Sequence, residues 1–302
     1  MISSIAKLFY IDKVKQNEIA KRFNLTPMSV SRILKEADKM GIVQFHVKTP
    51  TRINNDLGKA IKDKYKLSEC IAVKKSTEIL DDVGQFLANY VLSIVNDKSI
   101  IGLSWGNNIY HFAKNLPFIN LNNCEFLQIT GGFLSEDNNK TTPNNIFKIL
   151  IEKLGCTPRF LNAPFFIDSE FSKAQILKDP SNKKIFELAK KANVIILGAT
   201  DLAAEPNTLF KTGLITKNDI LELKSKGAIG ELGGFFVDKS GNIIEWSKSK
   251  LYVSVPLSIL SKSPNTICVA ADEGKLEILK ATVRKGYYNI LVTSEDLAEQ
   301  LL

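Results

Sequence analysis

Thr26, Met28, Ser29, Ser31, Arg32, Lys35 and Lys39 have the types and the spacing to meet nucleic acid. At roughly 100° per residue, Met28, Arg32, Lys35 and Lys39 share one face of a helix, with Ser29 and Ser31 on its edges. A guanidinium and hydroxyls can read base edges in a major groove, and ammonium groups meet phosphates. Val30, Ile33, Leu34 and Ala37 recur at i, i+3, i+4 and i+7, which gives the helix an opposite face that must be buried. A hairpin that merely packs would need that apolar stripe but not a local excess of positive charge. Residues 1–55 hold ten Lys and Arg against four acids, a net of +6, whereas the whole chain is +8. Only +2 is left for the remaining 247 residues, so the charge is concentrated where phosphates would be met.

A second group of residues could hold a small anionic ligand. In IIGLSWGNNIYHF, Gly102 and Gly106 bracket a turn, and Asn107 and Asn108 open a helix whose first N–H groups favour a phosphate, with Ser104 beside them. A tight turn from strand to helix also needs glycine for steric reasons alone. Thr130, Gly131 and Gly132 in FLQITGGF, Thr200-Asp201 in ILGATDL, and Lys275 in VAADEGKLEILKA end three further apolar runs in the same way. The histidines, His46 and His111, sit in a predicted strand and a predicted helix, which favours structural roles and leaves a Ser-His-Asp triad or a His-rich metal site poorly supplied. Cys70, Cys124, Cys156 and Cys268 are 54, 32 and 112 residues apart, which fits neither a zinc pattern nor a compact disulfide framework, so reduced and buried thiols are expected. No catalytic set, metal site or cofactor is assigned.

The elements that must position these groups can be read in turn. Thr26 before Pro27 supplies an N-cap hydroxyl and a preset φ at the first helical position. Asn24-Leu25 makes the turn from a preceding helix, 16–23, which buries Ile19, Ala20 and Phe23. Ile2, Ile5, Ala6 and Phe9 give a first helix its apolar stripe, completing a three-helix unit with helix-turn-helix geometry. IVQFHVK, 42–48, reads as a strand, and Thr49-Pro50-Thr51 breaks the pattern, placing a linker at 48–56. The expected domains are 1–55 and 56–302.

Beyond the linker, strands are predicted at 70–73, 99–103, 125–129, 159–162, 193–198, 266–270 and 289–292. Helical patterns lie between them at 82–95, 107–115, 143–153, 181–191, 216–224, 274–285 and 294–301. This alternation implies an α/β domain with a mostly parallel sheet covered on both faces. GAIGELGGFFVDKSGNI, with a turn at 238–241, predicts an inserted hairpin. In an open parallel sheet a ligand sits beyond the carboxyl ends of the strands, where the glycine-rich exits fall.

At 44% hydrophobic and 24% charged, the 302 residues can form one small and one large soluble domain. No apolar run approaches the ~18 residues of a membrane span, and the first residues lack the hydrophobicity of a secretion signal, so a cytoplasmic protein with no membrane partner is expected.

Two sets of motifs carry a resemblance. Gln16, Ile19-Ala20, Phe23, Leu25, Val30-Ser31-Arg32 and Leu34 resemble the helix-turn-helix pattern of bacterial regulators. GLSWGNN, LQITGGF, NAPFF, Lys178-Asp179-Pro180, GATDL, GAIGELGGFFVDKSGNI, ADEGKLEILKA and YYNILVTSEDLA, in that order, resemble the effector domain of the SorC/DeoR-type sugar-binding transcriptional regulators across nearly the whole chain. The resemblance implies a Rossmann-like α/β effector domain related to sugar-phosphate isomerases, a phosphorylated sugar as effector, double-stranded operator DNA as partner, and a homo-oligomer, dimer or tetramer. It also implies that Gly102, Ser104, Trp105, Gly106, Asn107 and Asn108 surround the phosphate region and that Gly131, Gly132 and Phe133 line a second loop. Glu231 would accept hydrogen bonds from sugar hydroxyls; Lys275 would neutralise phosphate, with Lys211 a second cation. Asn107-Asn108 stand where the family often has hydroxyl residues. At position 130 a Lys could form a Schiff base with an aldehyde sugar, and Thr cannot, so noncovalent binding is expected. The leading reading is a one-component transcriptional regulator, a repressor by resemblance. The alternative is a sugar-phosphate isomerase or deaminase with an appended DNA module, in which Asp201 or Glu231 would abstract a proton next to a carbonyl.

Overall fold

The computed structural model describes residues 1–43, 52–133, 140–203 and 208–302. The chain divides into two compact units, residues 1–50 and 51–302. In the first, α1 (Ile2–Tyr10), α2 (Gln16–Phe23) and α3 (Pro27–Lys39) enclose a core of Ile5, Ala6, Ile19, Ala20, Val30, Ile33, Leu34 and Ala37. Thr26 caps α3 by accepting from the Ser29 N–H at 3.1 Å, and Asn24 makes the turn in the left-handed region at φ 52. Of the strand expected at 42–48, Ile42 and Val43 form a bend; the rest lies outside the described residues.

The second unit opens with α4 (Asn55–Tyr65), capped by the Asn54 side chain; it begins inside the expected 48–56 linker and continues through residues for which the sequence pattern predicts no element. It is followed by β1 (Glu69–Val73), α5 (Ile79–Ile94), β2 (Ile100–Leu103), α6 (Asn107–Asn115), β3 (Glu125–Gln128), α7 (Pro143–Leu154), β4 (Thr157–Arg159), α8 (Glu170–Lys178), α9 (Pro180–Ala189) and β5 (Val194–Asp201). Then come α10 (Thr208–Lys211), α11 (Lys217–Ser225), β6 (Ala228–Leu232), β7 (Phe235–Asp238), α12 (Leu257–Leu260), β8 (Asn265–Ala270), α13 (Leu276–Thr282), β9 (Ile290–Ser294) and α14 (Glu295–Leu301).

Seven strands run parallel in the order β1-β9-β8-β5-β2-β3-β4. Alternate strand residues enter opposite cores. Ile71, Val73, Val194, Ile196, Ile267 and Val269 pack with Leu87, Phe112 and Phe147 of α5, α6 and α7. Cys70, Ala72, Ile195, Leu197, Cys268 and Ala270 pack with Ile61, Ile185, Ile278 and Leu297 of α4, α9, α13 and α14. Both faces are therefore covered, as buried parallel strands require.

Strand β5 runs three residues beyond the predicted 198, because Ala199 to Asp201 pair antiparallel with β6. The β6–β7 hairpin turns at Gly233-Gly234, both at positive φ (58 and 96), and not at 238–241 as expected. The 238–241 turn also forms, closed by the Gly241 N–H on the Asp238 carbonyl at 2.8 Å, and it leads back to an Ile243 bridge with Val237.

All four cysteines are free and buried. His111 Nδ1–H donates to the Asp81 carboxylate at 2.8 Å. Although burial opposes it, hydrogen bonds from Lys114, His111 and Asn115 hold the Asp81 carboxyl down at about 2. His111 thus has a structural partner, while His46 lies outside the described residues. Among the described residues, no helix is long and apolar enough to cross a membrane, and no cluster of His, Cys, Asp and Glu has the makings of a metal site.

Candidate functional site

Strand order reverses between β2 and β5. From β2 the chain moves to β3 and β4 on one side, and from β5 it moves to β8 and β9 on the other. The crevice beyond the carboxyl ends of the two strands at such a point is where open α/β sheets accept ligands. A cavity of about 440 Å³ opens there, lined by Ser104 to Ile109 after β2 and by Gly198, Ala199 and Thr200 of β5.

The floor is held by backbone. Ser104 donates its N–H to Ile196 O at 3.0 Å, and its hydroxyl accepts from Gly198 N–H at 2.9 Å, which ties β2 to β5. Gly106 follows at φ 123 and ψ −179, a conformation open to glycine, and serves as N-cap of α6 without a side-chain cap. The first turn of α6, Asn107 to Ile109, lines the cavity, so its N–H groups and the positive end of the helix dipole suit an anion.

Four buried polar atoms on the cavity wall have no hydrogen-bond partner among the described residues: Trp105 Nε1, Asn108 Oδ1, Thr130 Oγ1 and Asp272 Oδ1. They come from three segments, Trp105 and Asn108 after β2, Thr130 after β3 and Asp272 after β8, yet all meet in one space. Buried polar groups are normally paired, and leaving one unpaired costs about 1–3 kcal/mol, so this clustering marks a surface arranged for polar atoms that the protein does not supply. Asp272 Oδ1 does lie 3.6 Å from Lys275 Nζ, an ionic contact too long to be a hydrogen bond.

Lys275, 7% exposed, faces Glu231 electrostatically across the cavity. Glu231 lies on β6 opposite Thr200 and accepts from the Gly234 N–H. Burial pushes its carboxyl up to about 7, although the Gly234 N–H and the Lys275 charge both pull the other way. At neutral pH Glu231 is therefore poised between acid and carboxylate, able to donate a hydrogen bond or to accept two.

The structure thus brings Ser104, Trp105, Gly106, Asn107, Asn108, Lys211, Glu231 and Lys275 to one cavity, with Lys211 exposed and the others more enclosed. Gly102, Gly131, Gly132, Phe133 and Asp201 stand outside its lining. Gly102 faces the core, where a Cβ would lie 2.5 Å from Ile195 Cδ1. Gly131 is where the chain after β3 passes beneath Pro164, whose carbonyl oxygen a Cβ would meet at 2.5 Å; Gly132 continues the crossing through bonds with Ala163 and Phe165. Phe133 packs edge-on against Trp105, ring centroids 4.8 Å apart, and so orients the indole from behind. Asp201 is buried within β5, facing α13, and accepts from the Ile278 N–H at 2.9 Å. Burial raises its carboxyl above the ordinary range.

Sequence reasoning missed Asp272 and Thr141, and preferred Asp201 to Thr200. Strand alternation was the available signal for the last: once β5 continues past 198, Thr200 and Asp201 must point to opposite faces.

In the first unit, Met28, Arg32, Lys35 and Lys39 are exposed on α3 and Ser31 is half-buried. The Thr26 and Ser29 hydroxyls bond each other at 2.9 Å, which occupies one of their two O–H donors. Glu36 and Asp38 are exposed on the same helix, acids that narrow the cationic face to the Arg32, Lys35 and Lys39 side.

A family model described as "Putative sugar-binding domain" matches residues 50–302. The chain is 28% identical over 301 residues to the deoxyribonucleoside regulator of Bacillus subtilis, covering 98% of this chain and 95% of that protein. It superposes on the full-length sorbitol operon regulator SorC from Klebsiella pneumoniae with a TM-score of 0.74 at 23% identity, covering 99% of this chain and 97% of the other. A DeoR family transcriptional regulator from Listeria monocytogenes matches with a TM-score of 0.73 at 25% identity, over 82% of this chain and 98% of the other.

Proposed function

The chain belongs to the sugar-binding family of SorC/DeoR-type transcriptional regulators, and on that premise we propose that its switch-point cavity binds a phosphorylated sugar noncovalently to adjust operator binding by α3. The convergence of four unpartnered polar atoms on one cavity carries the reading. A sugar brings the hydroxyl donors that Asn108 Oδ1 and Asp272 Oδ1 lack and the oxygen acceptor that Trp105 Nε1 lacks. The uncapped start of α6 and the Lys275 ammonium favour a phosphate, and Glu231 exchanges hydrogen bonds with hydroxyls. Thr130 offers a hydroxyl where a Schiff base would need an amine.

The isomerase or deaminase alternative is disfavoured: the relatives are regulators, and Asp201, one of the two carboxylates considered for proton abstraction, is engaged by α13 outside the cavity. Residues 1–55 serve as the DNA-binding domain with its linker, and 56–302 as the effector domain that pairs such units in a dimer or tetramer, because one recognition helix alone binds DNA weakly.

A thermal-shift screen against sugars and their phosphates tests the effector assignment. A ligand at 100 times its Kd adds about 2.7 kcal/mol to the folded state. Lys275→Met should abolish the response to a phosphorylated hit while leaving the unliganded melting temperature within a few degrees. A wild-type chain that responds to no sugar or sugar phosphate would sink the assignment.

A further inference from the structure

We propose that Met28 is a specificity-determining residue that reads the C5-methyl group of a thymine in each operator half-site, one turn of helix away from the base contacted by Arg32; the inference rests on α3 being the recognition helix. Met28 is 83% exposed, the largest value among the exposed large hydrophobic side chains of the described residues. It stands in the first turn of α3, whose packing is completed by Val30, Ile33, Leu34 and Ala37 on the other face, so the fold of the first unit has no use for it.

Its neighbours define its partner. Thr26 and Ser29, the first-turn residues with hydroxyls, are bonded to each other, and Ser29 N–H is spent on the cap. Met28 is the exposed apolar side chain of that turn, beside a hydroxyl pair that keeps one O–H free to donate. Arg32 follows at i+4 on the same face, roughly 6 Å along the axis, with Lys35 and Lys39 beyond it. A thioether chain in a cationic row has little to gain from phosphates or from the polar edges of guanine, adenine and cytosine. Thymine is the base that offers a methyl group in the major groove, and apolar side chains contact it there. The N-terminal residues of a recognition helix are those that approach base edges. The half-site is accordingly expected to hold a thymine one or two steps from a guanine.

Full-length protein is used to select duplexes from a randomised pool, and each thymine of the recovered half-site is then replaced by deoxyuridine, which lacks only the C5-methyl group. At one thymine per half-site the replacement should weaken wild-type binding about fourfold, the worth of one buried methyl group. Met28→Ala, which removes an exposed side chain and leaves the core intact, should bind the thymine and deoxyuridine duplexes equally at that position. Loss of affinity by Met28→Ala with the deoxyuridine effect undiminished overturns the proposal, as does a wild-type protein indifferent to every replacement. Failure to enrich any duplex overturns the DNA-binding reading and this inference with it, a result distinct from the other two.

Discussion

Replacing Glu231 by Gln should flatten the pH dependence of stability in the second unit. In an unfolded chain this carboxyl has its ordinary value of 4.5, whereas burial lifts it to about 7 in the folded protein. Between those values the folded state keeps a proton that the unfolded chain has released, so stability falls as pH rises. The contribution is complete below 4.5 and lost above about 7. The interval of about 2.5 pH units corresponds to about 3 kcal/mol at 1.36 kcal/mol per unit. Gln reproduces the shape of the protonated acid and keeps an oxygen for the Gly234 N–H, but it cannot ionise. Both tryptophans, Trp105 and Trp246, belong to this unit, so urea unfolding followed by intrinsic fluorescence reports it directly. Between pH 4 and 8 the wild-type protein should lose about 3 kcal/mol relative to the Gln variant, the two converging at the acid end. Asp201, also raised by burial, has the same sign but is present in both proteins and cancels. Parallel pH curves for the two proteins would show that Glu231 does not titrate in this interval and would remove the argument for its dual donor and acceptor role.

Three further outcomes concern the first unit. Arg32→Ala should weaken binding to a selected duplex by about 1–3 kcal/mol in a gel shift if the guanidinium is bidentate to guanine, and wild-type affinity should fall steeply with salt as counterions are released. Thr26→Ala removes the acceptor for Ser29 N–H and the hydroxyl partner of Ser29, and should cost about 1 kcal/mol of stability in residues 1–50, read by hydrogen exchange of the α3 amides.

The hairpin of α2 and α3 was legible almost to the residue because its signals are local. A capping Thr before Pro, a left-handed Asn and a 3.6-residue apolar period each act within a few positions. The central parallel strands were equally legible as apolar runs, since both of their faces are buried; β4 at the sheet edge, a partly exposed Thr157–Arg159, shares only Arg159 with the strand expected at 159–162. What escaped has non-local causes. Helix α4 carries Lys and Asp along most of its length, and its helical stripe of Leu57, Gly58 and Ile61 gains meaning only against Cys70 and Ala72 of the sheet. Gly58 is required there because a Cβ would lie 2.5 Å from the Cys70 carbonyl oxygen. The β6–β7 turn was misplaced because Asp238-to-Gly241 is also a real turn; pairing with the end of β5 decides which pair of strands forms the hairpin. The glycines of the second loop illustrate the same limit at the site. Glycine beyond a strand permits close approach, and here the approaching group at Gly131 is the protein's own backbone.

The placement of the unpartnered atoms bears on how a ligand could act at a distance. Trp105 and Asn108 follow β2, Thr130 follows β3 and Asp272 follows β8, so the strands lie on both sides of the point where the sheet order reverses. Glu231 arrives from an antiparallel hairpin that touches the parallel sheet through the last residues of β5. A sugar phosphate that satisfied these groups together would restrain segments that the fold otherwise supports separately. Such a restraint alters DNA affinity only if the ligand prefers one arrangement of the regulator over another, and operator DNA must then change ligand affinity by the same factor. On that proposal the coupling would fall on the segments that contribute an unpartnered atom, whereas a position such as Gly102, where a Cβ would meet Ile195, is dictated by packing.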